Sequence, residues 1–221
     1  MKSILEIDSV IKFYRERQVL SDIYLKCETG DIIGILGRNG SGKSTLLKIL
    51  FGCINSENKF VRINGKVYEH PYKYQGLIGY LPQHSFLLQH LKVNQTIRLY
   101  INEQIQSFYN DPIIDRIKNN KISTLSGGEL RYLEIKLLLH IDSKFVLLDE
   151  PFNGVAPIIV ELLKSMIIKQ SKTKGIILTD HDYNNVMEVA NKYCLIYDGG
   201  IKKIDNKQDL IDWQYITINS L

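Results

Sequence analysis

The sequence predicts an α/β fold with a mainly parallel sheet, an N-terminal antiparallel β subdomain and a small inserted helical subdomain. Three observations predict it: strand-like runs fill the first thirty residues, later apolar runs alternate with helical patterns, and residues from about 84 to 124 are polar and helical. The chain has 221 residues, 44% of them hydrophobic, which suffices for one domain with a full core. We therefore expect a single domain over residues 1–221, with the helical subdomain inserted at 84–124.

The first half of the chain contains strand, turn and helix signals in a clear order. Three short runs near the start are predicted as strands: Ile4–Ile7, Val10–Tyr14 and Ile23–Cys27. Ile32–Leu36 is continuously apolar, which is typical of a strand buried on both faces. A helix is expected over Thr45–Phe51, ended by Gly52. Asn64-Gly65 predicts a two-residue hairpin turn, because both residues tolerate a positive φ.

The second half predicts helices and a parallel sheet. The helical segment around 84–124 is interrupted by Pro112. A further helix from Glu129 should bury one apolar face, formed by Leu130, Leu133, Leu137, Leu138 and Ile141. Three more strands are expected at Phe145–Leu148, Ile176–Leu178 and Tyr193–Tyr197. A helix over Ile158–Ile168 separates the first two of these strands, and such βαβ units build parallel sheets.

Composition excludes several classes of function. The net charge of +4 is spread along the chain without a basic tail, so no nucleic-acid partner is expected. Cys27, Cys53 and Cys194 lack the spacing of a zinc site or a disulfide framework, and we expect them to be buried in a reducing compartment. Neither a signal peptide nor a membrane span is predicted. Any membrane function would then need a second chain, and we expect a cytoplasmic protein.

Residues 37–45, with the sequence GRNGSGKST, match the phosphate-binding pattern G-x-x-x-x-G-K-[ST] between a predicted strand and helix. Backbone N–H groups of such a P-loop surround phosphate oxygens, helped by the helix N-terminus. Lys43 is expected to reach the β- and γ-phosphates, Ser44 to bind Mg²⁺, and Thr45 to contact the α-phosphate side. The predicted cofactor-binding residues of this loop are Gly37, Asn39, Gly40, Ser41, Gly42, Lys43, Ser44 and Thr45.

A second motif, LSGGE at residues 125–129, distinguishes between classes of P-loop protein. It resembles the LSGGQ signature of ATP-binding-cassette (ABC) ATPases, with Glu129 in the last place. Ser126 and the amides of Gly127 and Gly128 lie at a predicted helix N-terminus, which favours anions. The resemblance implies that this site faces the γ-phosphate of an ATP molecule held by a second subunit.

The resemblance implies roles for five further residues. Asp149 and Glu150 end an apolar strand, where the family holds Mg²⁺ and polarises the attacking water, respectively. Gln83 is similar to the family's Q-loop glutamine, which contacts the metal and that water. His181 resembles the histidine that contacts the γ-phosphate, and Tyr14 the aromatic residue that stacks on adenine.

The resemblance extends from Tyr14 to the hairpin at Asp198-Gly199. The sequence PFNGVAP at residues 151–157 most resembles the corresponding segment of ATPases of lipopolysaccharide export and branched-chain amino-acid import. Membership implies ATP and Mg²⁺ as cofactors, a head-to-tail dimer that we expect to be a homodimer, and a separate transmembrane permease that holds the chain at the membrane. One position departs from the family: Ala156 stands where an Asp usually contacts the other subunit.

Three alternatives differ from a transport ATPase. An ABC ATPase of DNA repair or cell division stays possible, although the long insertion of repair members and the second cassette of translation factors are absent. A subunit that binds ATP without hydrolysing it also stays open, but Glu150 and His181 are both present. A GTPase is suggested only by Asn206-Lys-Gln-Asp209, and we reject it because no D-x-x-G follows the P-loop.

Overall fold

The structure is a computed structural model that describes residues 2–101 and 105–217. The described strands form two sheets. An antiparallel sheet has the order β2-β1-β4-β5, with β1 at Ile4–Tyr14, β2 at Arg17–Glu28, β4 at Asn58–Ile63 and β5 at Lys66–Val67. The other sheet has the order β10-β9-β3-β8-β7-β6, with β3 at Ile32–Leu36, β6 at Ile78–Leu81, β7 at Phe145–Asp149, β8 at Gly175–Thr179, β9 at Lys192–Tyr197 and β10 at Gly200–Ile204.

The predicted α/β class is confirmed by the second sheet. Its strands β9, β3, β8, β7 and β6 run parallel, and β10 pairs antiparallel at the edge through the hairpin at Asp198-Gly199. Every residue of β3, β7 and β8 is buried, as the continuous apolar runs predict. Because the carboxyl ends of parallel strands meet at one edge, the segments after β3, β6, β7 and β8 converge there.

The antiparallel sheet differs from the prediction at its first strand. Residues 4–14 form one strand instead of two, because β1 continues through Ser9 at a φ of 53°. Its pairing register with β2 shifts between Ile7 and Val10, as in a β-bulge. The hairpin turn at Asn64-Gly65 is confirmed, with φ values of 51° and 79°.

The helices described are α1 at Lys43–Phe51, α2 at Val93–Tyr100, α3 at Ile105–Tyr109, α4 at Pro112–Ile117, α5 at Gly127–His140, α6 at Pro157–Ser171, α7 at Tyr183–Val189 and α8 at Lys207–Asp212. Gly52 ends α1 with a φ of 91°, as predicted. Pro112 begins α4, and Asp111 caps it by accepting hydrogen bonds from the backbone of Ile113 and Ile114. Helices α2 to α4 lie between β6 and α5, while the subdomain boundary at 84–124 stays a prediction.

The one-sided apolar face predicted for α5 is wrong, because residues 131–139 are all buried. Its polar residues are paired inside: Tyr132 and Lys136 both bond Asp111, at 2.5 Å and 2.6 Å. At its ends Leu130 and Ile141 are only half-buried. This helix therefore connects the helical segment to the sheet and packs on both sides.

Three further features of the structure were not predicted from the sequence. Cys53 is exposed, contrary to prediction, because it lies in the turn that follows the glycine end of α1. Helix α7 is too short to show a clear apolar period. Asn206 and Asp209 cap α8 by bonding each other's backbone N–H groups, which accounts for the GTPase-like match without a nucleotide.

Candidate functional site

The P-loop connects β3 to α1 at the carboxyl edge of the parallel sheet. Gly42 caps α1 at a φ of 107°, and a Cβ there would lie 2.9 Å from side-chain atoms of both Val19 and Leu20. Lys43 is buried under the loop and donates to the carbonyls of Gly37 and Arg38, at 2.6 Å and 3.1 Å. Burial lowers the pKa of Lys43. The loop thus holds its lysine through two of its own carbonyl groups.

A cleft of about 510 Å³ opens over this loop. Its lining residues are Tyr14, Arg17, Val19, Asn39, Gly40, Ser41, Gly42, Lys43, Ser44, Thr45, Gln83, Glu150 and His181. Tyr14 is half-exposed, and its hydroxyl lies 3.5 Å from Thr45 Oγ1. An exposed aromatic ring and a glycine-rich loop in one cleft suit a base and its phosphates. Eight of the nine predicted residues from Tyr14 to Thr45 therefore line one cleft, and Gly37 is not among its lining residues.

Asp149 and Ser44 meet beneath the cleft. Ser44 Oγ donates to Asp149 Oδ1 at 2.8 Å, and Tyr80 donates to the other carboxylate oxygen at 3.1 Å. Asp149 is fully buried, and burial raises the pKa of its carboxyl group. Hydroxyl and carboxylate oxygens are hard ligands, and Mg²⁺ usually takes one or two of them together with waters and substrate phosphates. The pair fits that donor set, whereas no cluster of three His, Cys, Asp or Glu within the described ranges could hold a metal alone.

Glu150 is held on both carboxylate oxygens at the cleft wall. Gln83 Nε2 donates to Oε1 at 2.6 Å, while His181 Nε2 and Asn153 Nδ2 lie 2.9 Å and 3.1 Å from Oε2. The backbone of Glu150 has a φ of 52°, and its N–H donates to Thr179 on β8. This carboxylate can accept a proton from water, and its neighbours fix its orientation. The amide nitrogen of Gln83, rather than its carbonyl oxygen, faces Ser44 and Glu150.

The signature segment lies outside this cleft. Ser126 caps α5 in a reciprocal box with Glu129, whose carboxylate also accepts from Arg116 at 3.0 Å. A Cβ placed on Gly127 or Gly128 would meet nothing within 4 Å. Neither glycine has a positive φ, so the folding of the described chain gives no reason for glycine at either position. Gly127 lines a second cavity of about 260 Å³ together with Gln83 and Glu150, whereas Ser126 and Gly128 line neither cavity.

Four residues that hold the site together carry no sequence motif that predicts this role: Tyr80, Arg131, Asn153 and Asp180. Arg131 donates to the carbonyls of Pro82, Asp149 and Glu150, at 2.9 Å, 2.7 Å and 2.9 Å. Asp180 accepts from the backbone of Phe152 at 2.9 Å and joins the segments after β7 and β8. The only sequence signal for Arg131 is a charge within an apolar helical run.

Comparison with known proteins agrees with this architecture. Residues 20–153, more than half of the chain, match the sequence profile of the ABC transporter family. The chain is 31% identical to the lipopolysaccharide export system ATP-binding protein LptB of Haemophilus influenzae over 90% of this chain and 89% of that protein. It is 29% identical to the Escherichia coli K12 protein of that name, covering 88% and 87% of the two chains.

Solved structures share the fold. An ATP-binding subunit of an ABC transporter superposes with a TM-score of 0.83 at 21% identity, over 98% of this chain and 97% of that one. A nucleotide-free cassette from an ABC transporter gives a TM-score of 0.77 at 21% identity, over 95% of each chain. Within the described ranges, none of the helices is long and apolar enough to cross a membrane. The relatives favour transport over DNA repair or cell division, and the chain belongs to the ABC transporter family as an ATP-binding and ATP-hydrolysing subunit.

Proposed function

We propose that the chain is a Mg²⁺-dependent ATPase that dimerises head to tail around two ATP molecules and drives a separate transmembrane permease from the cytoplasmic face of a membrane. One observation carries the chemical part of this proposal. Glu150 accepts a hydrogen bond from Gln83 and lies 2.9 Å from His181 Nε2, and Gln83 also donates to Ser44 of the P-loop. This arrangement supports a role for one buried carboxylate beside the end of the phosphate chain.

We assign a separate role in ATP hydrolysis to each residue around Glu150. Glu150 orients the attacking water and accepts its proton, while His181 and Gln83 hold the carboxylate and the γ-phosphate end of the cleft. Ser44 and Asp149 would hold Mg²⁺, which neutralises charge on the phosphates when bound. Lys43 contributes a positive charge beneath the loop, and Tyr14 stacks on the base.

Open space next to the signature glycines supports the proposed dimer. Gly127 and Gly128 leave room that no described part of this chain fills, at a helix N-terminus that favours anions. A second copy can bring its own P-loop phosphates to that place in a head-to-tail arrangement. Both sites of a homodimer are then completed by two chains. Closure would depend on ATP, and opening on hydrolysis or product release.

The transport part is supported by the relatives. Proteins similar over most of their length are named as the ATP-binding protein of a lipopolysaccharide export system. Membership of the ABC transporter family implies an ATPase dimer that works with transmembrane partners. We therefore propose a permease that receives the closing motion of the dimer.

Replacing Glu150 tests the proposed chemistry. Glu150→Gln keeps the size of the side chain and removes the base, which is worth about 10² to 10⁴ in rate. Phosphate release should fall by that factor, and size-exclusion chromatography with Mg-ATP should show a trapped dimer that the wild type lacks. Glu161→Gln, an exposed carboxylate on α6, is the matched control. Wild-type turnover in Glu150→Gln would refute the assignment.

Mixing two inactive variants tests the composite site. Gly127→Asp adds a carboxylate to the signature at residues 125–129, and Lys43→Ala removes the lysine of the P-loop. A heterodimer of the two forms has one intact site, so activity should exceed that of either parent. Cross-linking establishes that mixed dimers form. Mixed dimers without recovered activity would contradict head-to-tail sites.

A further inference from the structure

Asp149 is held by a residue that belongs to none of the proposed binding motifs. Tyr80 lies on β6, next to β7, and its hydroxyl donates to Asp149 Oδ2 at 3.1 Å. The opposite oxygen, Oδ1, accepts from Ser44 Oγ at 2.8 Å. One oxygen of the carboxylate is thus tied to the sheet, and the other is directed at the P-loop serine.

Tyr80 is itself fixed by two elements. Its backbone pairs with Leu147 of β7 in the parallel sheet. Its ring packs against Phe51, with 5.2 Å between centroids, and Phe51 is the last residue of the helix that begins at Lys43. Phe51 in turn contacts the ring of Tyr72, 5.6 Å away. The position of the Tyr80 hydroxyl therefore depends on the same helix that carries Ser44.

The hydroxyl has an electrostatic and a geometric effect on Asp149. A buried carboxylate is costly unless its oxygens accept hydrogen bonds, and Asp149 is fully buried. Without a donor to Oδ2, the carboxylate would be free to rotate about its last side-chain bond. Oδ1 would then no longer be held in its position beside Ser44 Oγ. Groups that orient a metal ligand in this way typically change metal affinity by about 10- to 100-fold when they are removed.

We propose that Tyr80 is a positioning residue for the metal site: its hydroxyl orients Asp149 so that Oδ1 and Ser44 Oγ together receive Mg²⁺ with ATP. The inference rests on the proposed magnesium role of Asp149. Tyr80 is absent from the lining of the cleft, so we expect no direct contact between its hydroxyl and a bound nucleotide. It acts through Asp149 alone.

Tyr80→Phe removes only the hydroxyl and keeps the ring against Phe51. ATP affinity is measured by calorimetry on the full chain, with Mg²⁺ and with a chelator. We expect affinity for metal-free ATP to be unchanged, and the gain in affinity on adding Mg²⁺ to shrink about tenfold. The Mg²⁺ concentration for half-maximal phosphate release should rise by a similar factor, with turnover recovering at saturating Mg²⁺.

Two further variants serve as the negative and the positive control. Tyr72→Phe changes an exposed ring of the same aromatic group and should match the wild type in both titrations. Asp149→Asn should lose more of the Mg²⁺-dependent gain than Tyr80→Phe. A wild-type Mg²⁺ response in Tyr80→Phe overturns the inference. An equal loss of metal-free and Mg²⁺ affinity, or a lower melting temperature alone, overturns it as well, because the role is then structural.

Failure of the underlying proposal gives a different pattern. If Asp149→Asn keeps the full Mg²⁺-dependent gain, Asp149 is not a magnesium residue, and both proposals are overturned. If Asp149→Asn loses that gain while Tyr80→Phe keeps it, only the role of Tyr80 is overturned.

Discussion

Arg131 offers the most direct test of how helix α5 supports the end of strand β7. Its guanidinium on α5 donates to three backbone carbonyls, those of Pro82, Asp149 and Glu150, and it also lies 3.5 Å from the Glu134 carboxylate. Arg131 and Glu134 are both buried, and burial lowers the pKa of Arg131. The substitution Arg131→Met keeps the length of the side chain and removes every donor.

The expected loss of stability follows from the groups left without partners. Each buried acceptor that loses its hydrogen bond costs about 1 to 3 kcal/mol, so three carbonyls cost about 3 kcal/mol at the lower end. Breaking a buried ion pair costs about 3 to 5 kcal/mol, but the contact with Glu134 is long and Glu134 keeps its bond to the backbone of Phe86. We therefore expect a loss of about 3 to 5 kcal/mol in total.

Urea unfolding followed by circular dichroism measures this loss. Arg131→Lys keeps the charge but cannot reach all three carbonyls, so its loss should lie between wild type and Arg131→Met. Adding Glu134→Gln to Arg131→Met should recover part of the stability, because the uncompensated charge is then removed. A loss below about 1 kcal/mol for Arg131→Met would show that water replaces the guanidinium and that the arginine does not hold these segments.

Three further predictions concern other parts of the chain. Glu129→Gln keeps the capping of α5 and removes a negative charge beside the proposed phosphate site. Sedimentation in the Glu150→Gln background should therefore show a tighter ATP-bound dimer, and equal association would contradict this. Gly34→Ala places a Cβ 2.3 Å from Val186 Cγ1, and thermal unfolding should report a loss of about 1 to 3 kcal/mol. Tyr14→Ala should weaken ATP binding by about 1 to 3 kcal/mol in calorimetry, and unchanged affinity would place the base elsewhere.

The parts of the site that sequence predicts are those whose signal is local. The P-loop lies in nine consecutive residues between a strand and a helix, and the signature lies in five. Their backbone conformation follows from glycines and a capping serine, as the structure has them. The buried runs of β3 and β7 likewise predict strands covered on both faces. Local chemistry suffices for these elements.

The supporting residues were unpredictable because their partners are distant in sequence. Arg131 reaches a carbonyl 49 residues earlier, Asp180 a backbone amide 28 residues earlier, and Tyr80 a carboxylate 69 residues later. Only the strand order, which puts β6 beside β7 and β7 beside β8, brings these groups together. Helix α5 was misjudged for the same reason, since its polar side meets Asp111 of another helix end rather than solvent.

Ala156 stands where the family usually has an Asp, and this difference also affects the start of helix α6. It is the N-cap residue of α6, with a φ of −64° and a ψ of 145°, and it makes no side-chain cap. Pro157 follows at the first helical position, where its missing N–H costs nothing. The N–H groups of the next residues therefore lack the side-chain acceptor that an Asp would provide.

Ala156→Asp should act at two levels. An Asp at an N-cap stabilises a helix by about 0.5 to 2 kcal/mol over Ala, so urea unfolding of the monomer should show a gain of that size. If the second copy lies across the proposed interface, the carboxylate also supplies an acceptor there, and the ATP-bound dimer of the Glu150→Gln background should tighten further. Ala156→Ser caps the helix without a charge and is the matched control. Analytical ultracentrifugation separates the two effects, because a gain in monomer stability without tighter association means that the interface has no partner for an acidic residue at this position.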